Sequence, residues 1–320
     1  MSGAAPLTVG IDVGGTSVRA GVVDRTGAVL DSVSAPTPRS ARALEDVLVD
    51  CVGELAARHE VAAVGLAVAG FVTRGRQKVR FAPHLAWRDA AVARTLSDRL
   101  GRPVVVEHDA NAAAWAERRF GAAAGGRVVV FLSLGTGIGA GLLIGGELFR
   151  GAYGTAPELG HVRVVPDGRA CPCGGRGCLE RYCSGTALAA TALELLGAGP
   201  AARGSVLAAE AARDPGSLTG RRVSNAARDG DPVALAAVAD LAQWLGRGFA
   251  LVADVFDPDL IVVGGGVGES APLFLDAARE RYAEVLTGAG HRPLARIRTA
   301  QLGEGAGLVG AGDLARAALR

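Results

Sequence analysis

The sequence predicts an α/β protein built as two lobes, and three observations carry the prediction. Its 320 residues are long for one compact domain and suit two lobes around a cleft. Short apolar runs near the N-terminus give way to alternating helical and strand patterns, the order expected of an α/β lobe. An apolar strand, a Gly/Thr turn and a second strand open the chain in LTVGIDVGGT. The same pattern returns in RVVVFLSLGTGIG, a weak internal repeat of phosphate-gripping hairpins. The Gly-rich seam Phe120 to Gly126 reads as a hinge. The expected small lobe is residues 1–119 plus 306–320. The large lobe is 120–305.

Each element follows from its pattern. Residues 7–13 form a short apolar strand ending in a glycine turn, and GVVDRTGAVLDSVSA is strand–turn–strand about Asp24 to Gly27. ARALEDVLVDCVGELAARH has helical periodicity, with Leu44, Val47, Leu48, Cys51, Val52 and Leu55 on one face. VAAVGLAVAG is a buried-type strand, and RPVVVEHDANAAAWAERRFG runs from strand into helix. From about Gly185 to Gly248 the chain is Ala/Leu-rich and helical, broken at Pro215 and Pro232. DLIVVGGGVG is a further strand closing on a glycine loop, and GAGLVGAGDLARAAL is a terminal helix.

Composition narrows the function classes. Hydrophobic residues make up 49% and aromatic ones only 4%, so the core is built from Ala, Val and Leu rather than rings. Forty-seven glycines exceed what core packing needs, and their clustering suggests loops that let backbone approach a ligand. A net charge of +2 gives no electrostatic reason to expect nucleic acid or an anionic membrane as partner. The N-terminus has no basic segment followed by an apolar one, and no run of about 18 apolar residues occurs, so the expected setting is the cytoplasm. In that setting, clustering of Cys171, Cys173 and Cys178 reads as a metal site rather than as disulfides.

Several motifs carry chemistry. In Asp12-Val13-Gly14-Gly15-Thr16 a tight turn after a strand exposes backbone N–H groups to an anion, and Thr16 adds a hydroxyl. Asp12 at the strand end suits a hydrated Mg²⁺ that neutralises triphosphate charge. Gly135-Thr136-Gly137 repeats the recipe. Its likeness to a dinucleotide fingerprint is imperfect, because a strand rather than a helix follows and Ala140 fills the last glycine place. Gly264-Gly265-Gly266 after a strand lets a flat heterocycle lie against backbone, so an adenosine pocket is expected there. Each of these is also compatible with an ordinary turn. Glu107-His108-Asp109-Ala110-Asn111 places Asp109 at a helix start, where N–H groups and the dipole keep a carboxylate ionised. Such a carboxylate takes the proton from an attacking hydroxyl, or serves as a plain cap.

The most specific stretch is Glu158-Leu159-Gly160-His161 followed by CPCGGRGCLE. One imidazole (His161) and three thiolates (Cys171, Cys173, Cys178) match a closed tetrahedral zinc site that leaves no position for a catalytic water. Such a zinc is structural. Glu158 and Glu180, pinned beside it, can point carboxylates at the hydroxyls of a bound ligand, with the second ring nitrogen of His161 as a further contact. Cys51 and Cys183 read as buried small hydrophobes.

Together these stretches resemble the ROK family of bacterial glucokinases, other hexose and N-acetylhexosamine kinases, and sugar-responsive repressors, from Gly10 to the LGEGAGLVGAGDLA tail. The resemblance implies a two-lobed actin/hexokinase-like (ribonuclease H-like) ATPase fold with a structural zinc loop. It implies ATP, Mg²⁺ and zinc as cofactors, Asp109 as base, and Glu158, His161 and Glu180 as sugar contacts. It also implies a homodimer or homotetramer that phosphorylates the 6-hydroxyl of glucose or a related hexose.

Two departures stand out. The family's E-N-D-A-N is here Glu107-His108-Asp109, and its Pro-Asn before Trp is Pro83-His84. The loop at Gly70, which lines the sugar, carries Ala69 in place of the customary Pro. Imidazole is larger than an amide and titrates near neutrality. The pair is either tolerated drift or a pocket tuned to a sugar altered at C3 or C4, such as an amino-hexose; a kinase for an N-acetyl-hexose is a further alternative. A repressor would need a DNA-binding segment ahead of Asp12, where only about ten residues stand, and an epimerase–kinase would need a second domain. A non-catalytic sugar sensor stays open.

Overall fold

The computed structural model describes residues 6–197 and 204–319. The strands are β1 (Leu7–Val13), β2 (Ser17–Val23), β3 (Val29–Pro36), β4 (Val61–Val68), β5 (Phe71–Val72), β6 (Val79–Phe81), β7 (Arg88–Ala90) and β8 (Val104–His108). They continue as β9 (Val128–Leu134), β10 (Ile138–Ile144), β11 (Glu147–Leu148), β12 (Leu260–Gly264) and β13 (Arg296–Thr299). The helices are α1 (Ala41–Ala56), α2 (Val92–Leu100), α3 (Asp109–Phe120), α4 (Gly185–Gly197) and α5 (Val206–Arg213). They continue as α6 (Gly220–Arg228), α7 (Pro232–Phe256), α8 (Leu275–Val285) and α9 (Ala306–Ala317).

Two five-stranded sheets repeat one plan, β3-β2-β1-β4-β8 and β11-β10-β9-β12-β13. In the first, β2 pairs antiparallel with β1 and β3, while β4 lies parallel to β1 and β8 parallel to β4. In the second, β12 lies parallel to both β9 and β13. The strand–turn–strand similarity in the sequence is therefore the surface trace of a topological repeat.

The chain divides into two compact units. One holds the chain up to Arg127, Gly141–Pro157 and the chain from Gln301; the other holds Val128–Ala140 and Glu158–Ala300. The segment Gly141–Pro157, expected with the large lobe, joins the first unit. Gly141 packs on Ala110 and Ala114 of α3, and Arg150 pairs with Glu107.

In the first unit, Val9, Ile11, Leu44, Leu48, Leu66, Trp87 and Val106 form one apolar core from β1, β4 and β8 with α1 and the segment before β7. Each such side chain, fully buried, is worth about 1.5–3 kcal/mol. Some glycines have a role that composition did not suggest. A Cβ on Gly10 or Gly65 would collide with the backbone carbonyl of Leu308 or Ala311, so bare backbone lets α9 lie directly on β1 and β4. Those glycines serve packing, not a ligand.

In the second unit α7 is 25 residues and, by length and composition alone, apolar enough to cross a membrane. Its buried face, from Val233 to Ala253, packs on α4, α6 and α8. Pro232 opens this helix at its first turn, with Asp231 Oδ1 capping Val233 and Ala234 N–H at 3.0 Å each.

Candidate active site and metal centre

In the first unit, β8 hands the chain to α3 at His108-Asp109. Asp109 is the first helical residue, and its Oδ1 accepts from Ala110 N–H at 2.8 Å. This half-exposed carboxylate stands at the positive end of the helix dipole. His108 Nε2 lies 3.1 Å from the same Oδ1, so the imidazole that stands where the resemblance expects an amide rests on the candidate base.

Asp12, at the end of β1, lies near enough to feel that charge. Burial first, then Asp109, push its carboxyl up to about 6, with Arg19 opposing and Glu304 adding to the rise. The Gly14–Thr16 turn is held by Thr37, whose Oγ1 donates to Gly14 O at 2.7 Å and whose N–H donates to Thr16 O at 3.0 Å. A Cβ on Gly15 would come 3.0 Å from Cβ of His84, so the turn and that histidine are packed together. Gly70 follows β4 and lies against Ala82, two residues before His84. The first unit thus gathers Asp12, the first glycine turn, Gly70, His84, His108 and Asp109.

The second unit gathers the rest. The turn Gly135–Gly137 is followed by β10, a strand, as expected, which sets it apart from a dinucleotide fingerprint. Gly135 O accepts from Gly185 N–H at 2.8 Å, and Thr186 Oγ1 donates to Thr136 O, which joins the turn to the start of α4. Val267 N–H donates to Leu134 O at 2.8 Å, and Gly265 (φ +81°) passes so close to Leu134 that a Cβ would meet its carbonyl oxygen at 2.6 Å. The second glycine turn and the Gly264–Gly266 loop are therefore neighbours. Between them and α6 opens a cavity of about 510 Å³ lined by Thr136, Thr186, Asn225, Arg228, Gly266 and Ser270, among others. This volume fits a nucleoside.

The knuckle brings His161, Cys171, Cys173 and Cys178 together, with their ligand atoms within 4.8 Å of one another. Cys173 Sγ and Cys178 Sγ are 3.7 Å apart, as are Cys171 Sγ and His161 Nδ1. Zn–S bonds of about 2.3 Å at tetrahedral angles require S···S edges of about 3.8 Å, so the donor set fits zinc. Burial pushes the Cys171 and Cys178 thiols up, while the Gly175 N–H lowers Cys173. A bound cation deprotonates all three. Nδ1 of His161 faces the sulfurs and Nε2 lies 4.0 Å from Glu158 Oε2. Glu180 Oε2 accepts from Ile138 N–H at 3.3 Å and its Oε1 lies 3.1 Å from Cys171 Sγ. The knuckle thus sits on the second glycine turn.

The ROK family profile matches residues 8–318. This chain belongs to the ROK family. It is 46% identical to a glucokinase of Streptomyces coelicolor over 97% of this chain and 98% of that one. A solved ROK family glucokinase from Streptomyces griseus, in complex with glucose and AMPPNP, superposes with a TM-score of 0.86 at 46% identity, covering 97% and 99%. The ROK hexokinase of Thermus thermophilus superposes with a TM-score of 0.78 at 33% identity, covering 98% and 99%. The actin/hexokinase-like fold expected from sequence is thereby established.

Sequence reasoning passed over several residues that the structure brings to this cavity. Asn225, Arg228 and Ser270 line the cavity, with Arg228 donating to Asn225 Oδ1 at 2.7 Å and to Ser270 Oγ at 2.8 Å. The polar face of GRRVSNAAR was the available signal.

Proposed function

We propose that this chain is an ATP-dependent hexose kinase of the glucokinase type that moves the γ-phosphoryl of ATP to the 6-hydroxyl of a hexose. The observation that carries the reading is the nearly full-length likeness, at 46% identity, to a solved glucokinase holding glucose and AMPPNP. Asp109 takes the proton of the 6-hydroxyl, the oxygen attacks the γ-phosphorus, and the bond to the β–γ bridging oxygen breaks to release ADP. The cavity beside Gly264–Gly266 takes the adenosine, and Gly14–Thr16 and Gly135–Gly137 offer N–H groups to phosphates. Asp12 would hold Mg²⁺, which neutralises triphosphate charge. His161, Cys171, Cys173 and Cys178 would hold a structural zinc that keeps Glu158, His161 and Glu180 in place as sugar contacts. The enzyme works in the cytoplasm as a homodimer or homotetramer.

A second reading, a substrate altered at C3 or C4, is favoured by His84 and His108. His84 packs on the first glycine turn and His108 on Asp109, so one imidazole touches the turn and the other the base where the resemblance expects small amides. A coupled ADP-release assay against glucose, mannose, N-acetylglucosamine, N-acetylmannosamine and 3-amino-3-deoxyglucose separates the readings by kcat/KM. Asp109→Asn is expected to lower kcat at least about 10²-fold with substrate binding kept. Sugar binding without ADP release from any substrate would instead make the protein a sensor, and an active Asp109→Asn enzyme would remove Asp109 as base.

A further inference from the structure

Two residues before Asp109, Glu107 is buried to 2% exposure inside β8. Its Oε2 receives Nε and Nη2 of Arg150 at 2.8 and 2.6 Å. Its Oε1 accepts from His108 N–H at 3.1 Å and from Asn111 Nδ2 at 3.0 Å. Those two donors flank Asp109 on either side. Helix α3 has no side-chain cap of its own, because His108 at the cap position makes no such bond. One carboxylate, held by an arginine from the segment after β11, therefore fixes the strand-to-helix turn that a cap would ordinarily hold.

Stability alone gives little reason to bury such a pair. Buried ion pairs are often replaced by apolar groups of similar size at no cost, while breaking one by removing a single partner is expensive. A second cation crowds the pair: Arg76 lies half-buried nearby, and burial together with the charge of Arg150 lowers its pKa. A charged, four-bonded cluster in that place points to geometry rather than to packing.

We propose that Glu107 and Arg150 are positioning residues for Asp109, fixing through their buried ion pair the direction in which the carboxylate leaves the turn. The claim rests on the reading of Asp109 as base. Misplacing a base by about 1 Å costs on the order of 10²-fold in rate. Glu107→Gln keeps the volume but turns an amide donor toward Arg150, and Arg150→Lys keeps the charge but loses the fork.

Both variants are expected to lower kcat at least about 10-fold with KM for hexose and ATP within about threefold. Arg150→Lys should be the milder. Should Glu107→Gln not fold, Arg150→Lys decides. A second readout needs no activity. In the otherwise unaltered protein the ¹⁵N signals of the His108 ring should shift on Asp109→Asn, because the two groups touch, and in either variant background that response should vanish. An unchanged kcat, or kcat and KM moving together, or a persisting ring-nitrogen response overturns the proposal. If the unaltered protein phosphorylates no sugar, the kinase reading fails while the ring-nitrogen response still judges the positioning.

Discussion

Replacing Asp12 by Asn should make the protein more stable at neutral pH, although it removes a proposed active-site carboxylate. Burial and Asp109 raise the Asp12 carboxyl from 3.8 to about 6, so the folded state prefers it protonated. A raised pKa contributes stability that is fully present below the unfolded value and is lost as pH climbs through the folded one. For Asp12 that window runs from about pH 4 to pH 7. At about 1.4 kcal/mol per unit, two units give about 3 kcal/mol. The residual 24% exposure of the side chain and Arg19 at 3.5 Å reduce the expected gain from Asp12→Asn at pH 7.5 to about 2 kcal/mol. That corresponds to roughly 4–8 °C in Tm for a unit of this size. The assay is thermal unfolding of both proteins from pH 4 to pH 8 without added Mg²⁺ or nucleotide. The two curves should coincide at pH 4, where the carboxyl is neutral, and separate through pH 6. An Asn variant no more stable at pH 7.5, or equally stabilised at pH 4, would refute the electrostatic account.

Two further outcomes follow from the packing and the metal. Gly10→Ala should destabilise by more than about 3 kcal/mol, because its Cβ would meet the Leu308 carbonyl and α9 has to lift from β1, a loss that a denaturant midpoint reads directly. Purified protein should carry one zinc per chain by elemental analysis, and Cys178→Ser should lose both the metal and hexose binding measured by calorimetry. Full hexose affinity in a zinc-free sample would separate the knuckle from the sugar.

What the sequence discloses depends on how local a feature is. The zinc ligands span 18 positions from His161 to Cys178, and donor identity and spacing survive in a linear reading, so the cluster was legible before any fold was known. Asp109 was legible because a run of valines ending in a charged pentapeptide marks where β8 gives way to α3. Arg150 was not, because it lies 43 residues from Glu107 and neither residue carries a periodic signal. The wall of the nucleoside-sized cavity was hidden for a related reason. Helical periodicity in α6 reports which residues are buried, whereas the cavity is lined by those the core does not need. Glycine shows the limit most clearly. Gly10 and Gly14 sit four positions apart in one strand and turn, yet the first exists so that α9 can approach and the second belongs to the turn proposed to hold phosphate. A missing side chain records only that something comes close, and the sequence cannot say whether that something is another part of the chain or a ligand. In a chain with 47 glycines, the fold has to assign each one.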